Sequence, residues 1–347
     1  MLSFGSFELG ADRRDQLLAS ETPAWLAGVM DQATAALLLH YAQTGSTKRR
    51  LWALSRVAAI LGRLHAAGLV YGDISPNNCF VAAGVEPEVW LIDADNLRYE
   101  VLDGGSAVYT PRYGAPEIVQ ARDRSRPRTD CWAFSVMAFE TLTLVHPFIG
   151  KKVLDPDDDA GGWDAAPVVA GEPADLDEKA YGGYLPFVDD EDDDSNPAMS
   201  GLPRDLVLMP QLAKLFQETF VAGRLSPWRR PAAAFWARAL TQAHDQSLVC
   251  DSCQMSYYRQ HTACPYCGRP RPAHVLAHTD RWEIALQLDK GGETRLPHRL
   301  FHPYSLEANA HSEYEAVIDP ATREVSHVRG TAALPADVSF EFEDGVT

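Results

Sequence analysis

The sequence predicts an α+β protein that is mainly helical at first and ends in a short cysteine module and a small β-rich module. Apolar residues recur at helical spacing in several segments between residues 31 and 245. Four cysteines in two C-x-x-C pairs lie within residues 246–272, and short alternating runs follow in residues 273–347. These three observations define the predicted order of the modules.

The negative charge of the chain is concentrated in one segment. The net charge is −17, and the stretch from Asp155 to Asp194 holds fifteen Asp or Glu residues and one Lys, a local charge of −14. An acidic field is therefore not a property of the whole surface, and we expect neither nucleic acid nor a membrane as a partner. We interpret residues 155–196 as a solvated acidic insert, with a docking site for a basic partner or a divalent-cation trap as the alternatives.

Length, hydrophobicity and cysteine usage narrow the class of protein. A chain of 347 residues favours two or three domains, and 46% hydrophobic residues suffice for a buried core. The sequence contains no run of 18 apolar residues and no signal-like N-terminus, which predicts a cytoplasmic location. Four of the six cysteines form C-x-x-C pairs, a pattern that suits metal binding in a reducing compartment better than disulfides.

A long helix is predicted from Lys48 to Ala67, directly before the most polar loop. Its apolar residues recur at spacings of three and four, and Gly68 can end the helix as its C-cap. His65 shares this apolar face, so we interpret it as a packed core histidine rather than a catalyst. Further helices are predicted at residues 33–39, 129–145, 210–221 and 232–243.

The stretch from Leu69 to Asp95 carries the residues on which the functional interpretation depends. It reads as strand, loop, strand, strand and loop, with Asp73 and Asn78 on the first loop. Asp93 follows the apolar strand V-W-L-I. Oxygen-bearing side chains on two neighbouring loops can hold Mg²⁺ and orient a hydroxyl group.

Five motifs in a fixed order resemble those of the protein-kinase family. Residues 71–78, Y-G-D-I-S-P-N-N, resemble H-R-D-x-x-x-x-N, and residues 93–95, D-A-D, resemble D-F-G. Residues 110–117 resemble the T-P-x-Y-x-A-P-E end of an activation segment. Residues 130–134 are similar to the D-x-W-S-F start of the central helix, and residues 229–231 to the R-P before the last helices. The resemblance implies a kinase-like helical C-lobe for residues 31–245.

The resemblance also implies what the matched residues do. Asp73 would accept the proton of the attacking hydroxyl group, while Asn78 and Asp93 would hold Mg²⁺ against the phosphates of ATP. Thr110 would lie against Asp73, which favours Ser/Thr acceptors.

Three further matched residues have structural roles in the family. Glu117 and Arg230 would form an ion pair that clamps the activation segment to the late helices. Asp130 would cap the central helix and hold the catalytic loop in place.

Several positions depart from the family pattern and concern regulation more than metal binding. Gly72 replaces the Arg that, in many kinases, pairs with a phosphorylated activation segment. Ser75 replaces the Lys that touches the γ-phosphate. Ala94 and Asp95 replace the Phe and Gly of D-F-G.

Residues 1–30 are interpreted as a remnant of the kinase N-lobe. The first Lys is Lys48, and no G-x-G-x-x-G precedes the catalytic loop. The segment from Trp25 to Met30 matches the last strand of that lobe and the hinge, with Met30 at the adenine of ATP. A start codon placed too late, a genuine pseudokinase and a lobe supplied by another chain remain open as explanations.

The cysteine module predicts a structural zinc site. Its ligands would be Cys250, Cys253, Cys264 and Cys267, four thiolates at the spacing of two metal-binding turns. A module this short has almost no core, so the metal would hold its fold. A redox function lacks a thioredoxin-like context, and the few flanking Arg residues do not indicate nucleic-acid binding.

The final residues predict a small β-rich module for partner recognition. The predicted strands are the runs at residues 282–288, 295–301, 314–320, 323–329 and 338–344. Four scattered histidines are interpreted as surface or core residues rather than ligands: His298, His302, His311 and His327.

Taken over residues 25–268, the motifs G-D-I-S-P-N-N and L-I-D-A-D and the Cys₄ ribbon resemble bacterial kinase-like proteins associated with tellurite-resistance and stress systems. The resemblance implies an ATP- and Mg²⁺-dependent Ser/Thr protein kinase that acts on a protein substrate or signalling partner. A catalytically silent pseudokinase scaffold is the alternative, because the motifs of the nucleotide lobe are missing from the sequence.

Overall fold

The long helices all lie before residue 246 and the longest strands after it, so the fold is mixed α and β as predicted. A computed structural model describes residues 1–29, 31–84, 86–100, 108–155, 175–287, 293–303, 315–319, 322–329 and 338–343. Met30, the residue predicted at the adenine, lies outside the described residues, as do Ser106, His311 and residues 156–174 of the acidic insert.

Five of the described helices follow the predicted segments with shifts at their ends, and the others were not predicted. None of the described helices combines the length and the apolar character that crossing a bilayer requires. Their bounds are α1 (Ala11–Leu18), α2 (Gln32–Gln43), α3 (Ser46–Ala66), α4 (Pro116–Val119), α5 (Pro127–Thr143), α6 (Lys151–Leu154), α7 (Leu176–Tyr181), α8 (Arg204–Val207), α9 (Pro210–Gln217) and α10 (Ala233–Asp245). The five predicted helices are α2, α3, α5, α9 and α10.

Among the described residues, the strands form five small antiparallel sheets, with the orders β1-β3-β4, β2-β5, β6-β7, β13-β8-β9 and β10-β11-β12. Their bounds are β1 (Leu2–Ser3), β2 (Leu69–Val70), β3 (Cys79–Val81), β4 (Val89–Leu91), β5 (Arg98–Tyr99), β6 (Ser247–Val249), β7 (Ser256–Tyr258), β8 (His274–His278), β9 (Glu283–Gln287), β10 (Glu293–Arg295), β11 (Glu315–Asp319), β12 (Glu324–Arg329) and β13 (Ser339–Glu343).

Three local predictions are wrong. The run at residues 295–301 is not a strand: it passes into a 3-10 helix at His298–Leu300, because Pro297 has no N–H for a strand ladder. Trp25 lies in a short 3-10 helix rather than in a lobe strand. Strand β8, which the sequence reading missed, is the buried central strand of its sheet.

The chain divides into two compact units. The first contains residues 1–9, 60–83 and 88–236, and its core is built around α5. Trp132 of α5 stacks on Phe148 with ring centroids 5.4 Å apart, and Phe139 meets Phe187 at 5.2 Å. Phe187 and Asn196 are buried although both belong to the acidic insert. Residues 191–194 of the insert are exposed, so the interpretation as solvated is wrong only for the buried positions of its second half.

The second unit contains residues 10–59, 84–87 and 237–347. Its β-rich part has a core of Val275, Ala277, Trp282, Ile284, Leu296, Leu300 and Ile318. Leu248 of β6 packs with Leu276 of β8 and Ala285 of β9, so the cysteine module and the β-rich module share buried surface.

Candidate active site and candidate metal centre

The loop that carries Asp73 is fixed at both of its ends by antiparallel strand pairs. Strand β2 pairs with β5 before the loop, and β3 pairs with β4 after it. The Ile92 amide donates to the Asn78 carbonyl at 3.0 Å, so Ile92 lies opposite Asn78 and Asp93 is the next residue along the chain. The fold therefore brings the two predicted metal-binding residues to the same end of one hairpin.

Both oxygens of the Asp73 carboxylate are held by hydrogen bonds. The Thr110 hydroxyl donates to Oδ1 at 2.8 Å, and Nδ2 of Asn78 donates to Oδ2 at 3.1 Å. The same Nδ2 also donates to the Asp73 carbonyl at 2.8 Å. Because the amide nitrogen of Asn78 is engaged inside the loop, its side-chain oxygen remains the acceptor that a cation would meet.

The Asp130 side chain holds the Asp73 loop by binding two backbone amides of that loop. Its carboxylate is buried and accepts from the amides of Tyr71 at 2.8 Å and Gly72 at 2.9 Å. The Nε2 atom of His65, from the last turn of α3, lies 3.0 Å from the same carboxylate. His65 is thus a structural residue, as its apolar surroundings predict. The predicted capping role of Asp130 is wrong, because its carboxylate accepts from the loop amides; the N3 residue Thr129 accepts instead from the amide of the N-cap residue Arg126.

Gly72 is required by the backbone of the loop. Its φ of +91° lies in the left-handed region, where a side chain is strained. A Cβ atom at this position would lie 3.5 Å from the Asn96 carbonyl and 3.7 Å from Nη2 of Arg98. Gly72 replaces the Arg of H-R-D, and the guanidinium of Arg98 from β5 lies close to where the side chain of that Arg would begin.

Asp93 has an exposed side chain and an unusual backbone. Its φ of 59° and ψ of 56° are left-handed, a conformation that costs a non-glycine residue about 1–2 kcal/mol. The Tyr71 hydroxyl donates to the Ile92 carbonyl and so fixes the chain immediately before Asp93. Burial raises the pKa of Tyr71, and the nearby carboxylates of Asp93 and Asp73 raise it further, which keeps this hydroxyl a donor.

An ion pair between the buried Glu140 and the partly exposed Arg112 was not predicted from the sequence. Nε of Arg112 donates to the Glu140 carboxylate at 2.9 Å, and Nη2 donates to the same oxygen. Burial raises the pKa of Glu140, while Arg112 acts in the opposite direction. The signal in the sequence was a single acid within the apolar run of α5, which requires a cationic partner when it is buried.

His146 packs against this pair as a neutral ring. Its Nε2 lies 3.2 Å from the Arg112 carbonyl, and its Nδ1 accepts from the Phe148 amide at 3.2 Å. Burial lowers the pKa of His146 to about 3, and the Arg112 charge adds to this effect.

The ion pair between Glu117 and Arg230 is present, as the family resemblance implies. Nη1 and Nη2 of Arg230 donate to the two Glu117 oxygens at 2.7 and 2.8 Å, and both side chains are buried. Arg230 also donates to the Gly223 carbonyl and lies over the Trp132 ring at 4.7 Å. The end of the activation segment is therefore fastened to the late helices.

The four paired cysteines converge on one point. The sulfurs of Cys250, Cys253, Cys264 and Cys267 lie within 4.8 Å of one another. The Cys250–Cys267 and Cys253–Cys264 sulfur distances are 3.5 and 3.6 Å. Tetrahedral zinc with Zn–S bonds of about 2.3 Å separates its sulfurs by about 3.8 Å, so the donor set fits zinc. The hydrogen bond between the Cys253 and Cys264 sulfurs lowers the pKa of Cys264 and raises the pKa of Cys253.

The first turn of α3 is capped by the cysteine module. The Ser256 hydroxyl accepts from the Lys48 amide at 2.7 Å, and the Ser46 hydroxyl accepts from the Ser256 amide at 2.9 Å. Nζ of Lys48 donates to the Ser247 carbonyl at 2.6 Å. These contacts join residues about 200 positions apart, and no local pattern in the sequence indicates them.

Comparison with known proteins supports a kinase-like region. The profile of the protein kinase domain matches residues 25–159. Ribosomal protein S6 kinase alpha-3 from Mus musculus and from Homo sapiens are each 35% identical to this chain over 102 residues. Ribosomal protein S6 kinase alpha-2 from Homo sapiens is 34% identical over a stretch of the same length. Each match covers 28% of this chain and 13% of the relative.

These similarities support a protein-kinase-like family for the part of the chain that carries the Asp73 loop. A kinase domain implies the use of ATP and Mg²⁺. The matched stretch covers only 13% of the length of these curated relatives.

Proposed function

We propose that the chain is an ATP- and Mg²⁺-dependent Ser/Thr protein kinase-like phosphotransferase that acts on a protein substrate. The observation that carries this proposal is the double anchoring of Asp73 by Thr110 and Asn78. In phosphoryl transfer the protein mainly positions groups and neutralises charge, and one fixed carboxylate accepts the proton of the attacking hydroxyl group. We propose Asp73 as that carboxylate.

Asn78 and Asp93 would hold Mg²⁺ at the end of the β3–β4 hairpin. An amide oxygen and a carboxylate are ligand types that Mg²⁺ accepts. ATP, when bound with Mg²⁺, supplies the transferred phosphoryl group. Met30 is proposed at the adenine and residues 1–30 as the remnant of the nucleotide lobe.

The test is transfer of the γ-phosphate from labelled ATP to the chain itself or to a generic protein acceptor. Asp73→Asn should abolish transfer, since the carboxamide keeps the size of the side chain and loses the base. Equal labelling by the two proteins would eliminate the assignment. Thr110→Val should lower transfer less, because it removes one of the two donors that hold Asp73.

A catalytically silent scaffold is the second candidate, and the position of the N-terminal residues favours it. Strand β1 pairs with β3, a Cβ on Gly5 would lie 3.9 Å from Oδ1 of Asn77, and the Tyr113 hydroxyl donates to Glu8 at 3.3 Å. The segment thus runs along the catalytic loop. Calorimetric titration with ATP and Mg²⁺ separates the candidates, because a kinase must bind the nucleotide and a silent scaffold need not.

The four cysteines are proposed to hold one structural zinc ion. All four ligand positions are thiolates, so the site offers no open position for a catalytic water. The proposed modules are the kinase-like region at residues 31–245, the ribbon at 246–272 and the β-rich module at 273–347. Limited proteolysis should cut first within residues 155–196 and near Pro270, and sharp cleavage inside residues 48–150 would contradict this map.

We also propose, from the motifs G-D-I-S-P-N-N and L-I-D-A-D with the Cys₄ ribbon, a cytoplasmic role in a bacterial stress-response signalling system. Reading the genomic sequence upstream of Met1 tests the nucleotide-lobe part of the proposal. An in-frame stretch with a glycine-rich loop would favour the kinase, and an immediate stop codon would favour the scaffold.

A further inference from the structure

Strand β4 of the first unit has an open edge. The sheet order β1-β3-β4 makes β3 the central strand, and β4 has no second neighbour among the described residues. All three strands belong to the first unit. An unpaired edge strand presents backbone N–H and C=O groups to which another extended chain can bind.

The hydrogen bonds to β3 show which groups of β4 face the open edge. The Ile92 amide donates to the Asn78 carbonyl at 3.0 Å, and the Glu88 carbonyl accepts at 3.0 Å from the residue that follows β3. In an antiparallel pair, residues bonded to the partner strand alternate with residues whose N–H and C=O point away from it. Val89 and Leu91 therefore direct four backbone groups toward the open edge.

The side chains of this strand add apolar surface to the open edge. Trp90 is 36% exposed and Ile92 is 42% exposed, and both project from the same face because alternate residues of a strand share a face. Trp90 lies opposite the half-buried Phe80 of β3. An extended chain that pairs with β4 would cover these side chains as well as bind the backbone.

The residues around β4 carry only negative charge. Glu88, Asp93 and Asp95 are exposed, and residues 88–95 contain no Lys or Arg. Pairing of β4 with the same strand of a second copy would bring these acids against one another, which is destabilising. An extended segment of another protein that carries Lys or Arg is complementary to this edge.

We propose that the open edge of β4 is a docking surface for a partner protein. The partner adds an extended strand with apolar side chains over Trp90 and Ile92 and with Lys or Arg beside Glu88, and the outward backbone groups of β4 bind its main chain. The opposite edge of the same sheet already holds a strand as short as Leu2–Ser3. This inference does not depend on phosphate transfer and holds for both candidate functions.

The test uses the end-blocked hexapeptide Lys-Val-Thr-Val-Thr-Lys as the probe, titrated into the full chain. Amide hydrogen exchange read by NMR locates the binding. In the free protein the Val89 and Leu91 amides should exchange quickly, whereas the Ile92 amide is already bonded. Saturating peptide should slow exchange at Val89 and Leu91 about tenfold and leave Ile92 unchanged.

Three variants test the backbone, the apolar face and the charge by their peptide Kd. Leu91→Pro removes an outward N–H and keeps the pairing with β3, since proline is accepted in an edge strand whose N–H faces solvent. It should raise the Kd about tenfold, the equivalent of one lost hydrogen bond, whereas Leu91→Val should not. Trp90→Ser should raise the Kd about three- to tenfold by loss of apolar contact. Glu88→Gln should raise it about two- to fivefold, and more at low salt.

Trp228→Ser is the matched control. Trp228 is 73% exposed and belongs to the same unit but not to the β1-β3-β4 sheet, so this variant should leave the Kd unchanged. Absence of peptide binding, or equal binding by Leu91→Pro and wild type, would overturn the inference. An equal loss in Trp228→Ser would overturn it too, because the peptide would then bind exposed apolar groups at random. Self-association of the wild type that Leu91→Pro abolishes would assign the edge to a second copy instead of a partner protein.

Discussion

The two units fix their buried charges in different ways. In the first unit each buried carboxylate that the motifs predict meets another motif residue or the loop backbone: Glu117 meets Arg230, and Asp130 meets the amides of residues 71 and 72. In the second unit Asp245 pairs with Arg299, and neither belongs to a motif. Motifs therefore predict polar geometry only where both partners lie inside them.

The largest expected effect is on stability: loss of zinc should unfold the cysteine module of the second unit and leave the first unit folded. Cys264→Ser should remove the one tightly held zinc ion and unfold the cysteine module, because zinc contributes about 10–16 kcal/mol of apparent free energy in comparable small modules. The Lys48 amide should then exchange faster, since it loses the Ser256 cap. The first unit should still melt cooperatively. Metal analysis, amide exchange and calorimetry measure the three results.

Cys79→Ala is the control for the zinc prediction. Cys79 is buried in β3 and is not among the four converging cysteines, so this variant should retain one zinc per chain. A wild-type protein without zinc, or six freely reactive thiols, would contradict the metal assignment.

The next effect concerns the buried pair of the first unit. Arg230→Met should destabilise that unit by about 3–5 kcal/mol, because it leaves Glu117 as an uncompensated buried charge. Glu117→Gln combined with Arg230→Met should recover part of the loss. Urea unfolding followed by tryptophan fluorescence measures the change.

The second unit supplies the comparison for this pair. Arg259→Met breaks the partly exposed pairs with Glu283 and Glu343 and should cost at most about 2 kcal/mol. If Arg230→Met and Arg259→Met lower the free energy of unfolding equally, burial does not make the Glu117–Arg230 pair the more important one.

The sequence predicted the helices and strands around the Asp73 loop better than the strands of the second unit, and it predicted few side-chain contacts outside the motifs in either unit. Helix α3 was expected at residues 48–67 and spans Ser46–Ala66, because its apolar spacing is strong and Gly68 ends it. Strand β8 was missed, and its neighbours in the sheet, β9 and β13, were both expected. The Arg112–Glu140 pair was also missed, since its partners come from separate segments and neither alone specifies the other.

The third effect depends on pH and belongs to His146. The ordinary pKa of histidine is 6.5, and burial lowers that of His146 to about 3 in the folded state. Below pH 6.5 the unfolded chain takes up a proton that the folded chain does not, so stability falls as the pH drops from 6.5 toward 3. One such group contributes a loss of about 2 kcal/mol between pH 7 and pH 5.

His146→Gln should remove that part of the acid sensitivity. The measurement is the difference in unfolding free energy between the two proteins at pH 7 and at pH 5, which cancels the carboxylates that both proteins share. A difference that stays constant between the two values of pH would show that His146 is not the responsible group.

The last prediction is that phosphorylation of the activation segment does not change the rate of phosphate transfer. Many kinases are switched when a phosphate on the activation segment pairs with the Arg beside the catalytic Asp. Here Gly72 stands at that position and its φ of +91° disfavours a side chain. Arg112 is already paired with Glu140. Burial by itself would lower the pKa of Arg112, but the Glu140 carboxylate raises it. We therefore predict that any transfer activity is independent of phosphorylation of the activation segment.

Ser106→Ala combined with Tyr109→Phe tests this prediction by the rate of γ-phosphate transfer, with and without prior phosphatase treatment. Thr110 must be kept, because its hydroxyl holds Asp73. We expect the unaltered rate in both cases. Loss of transfer in the double variant and after phosphatase treatment would show that another cation reads the phosphate. Arg98, whose Nη2 lies 3.7 Å from the place of a Gly72 Cβ, would then be the residue to replace. Arg98→Gln would have to reproduce the loss for that explanation to stand.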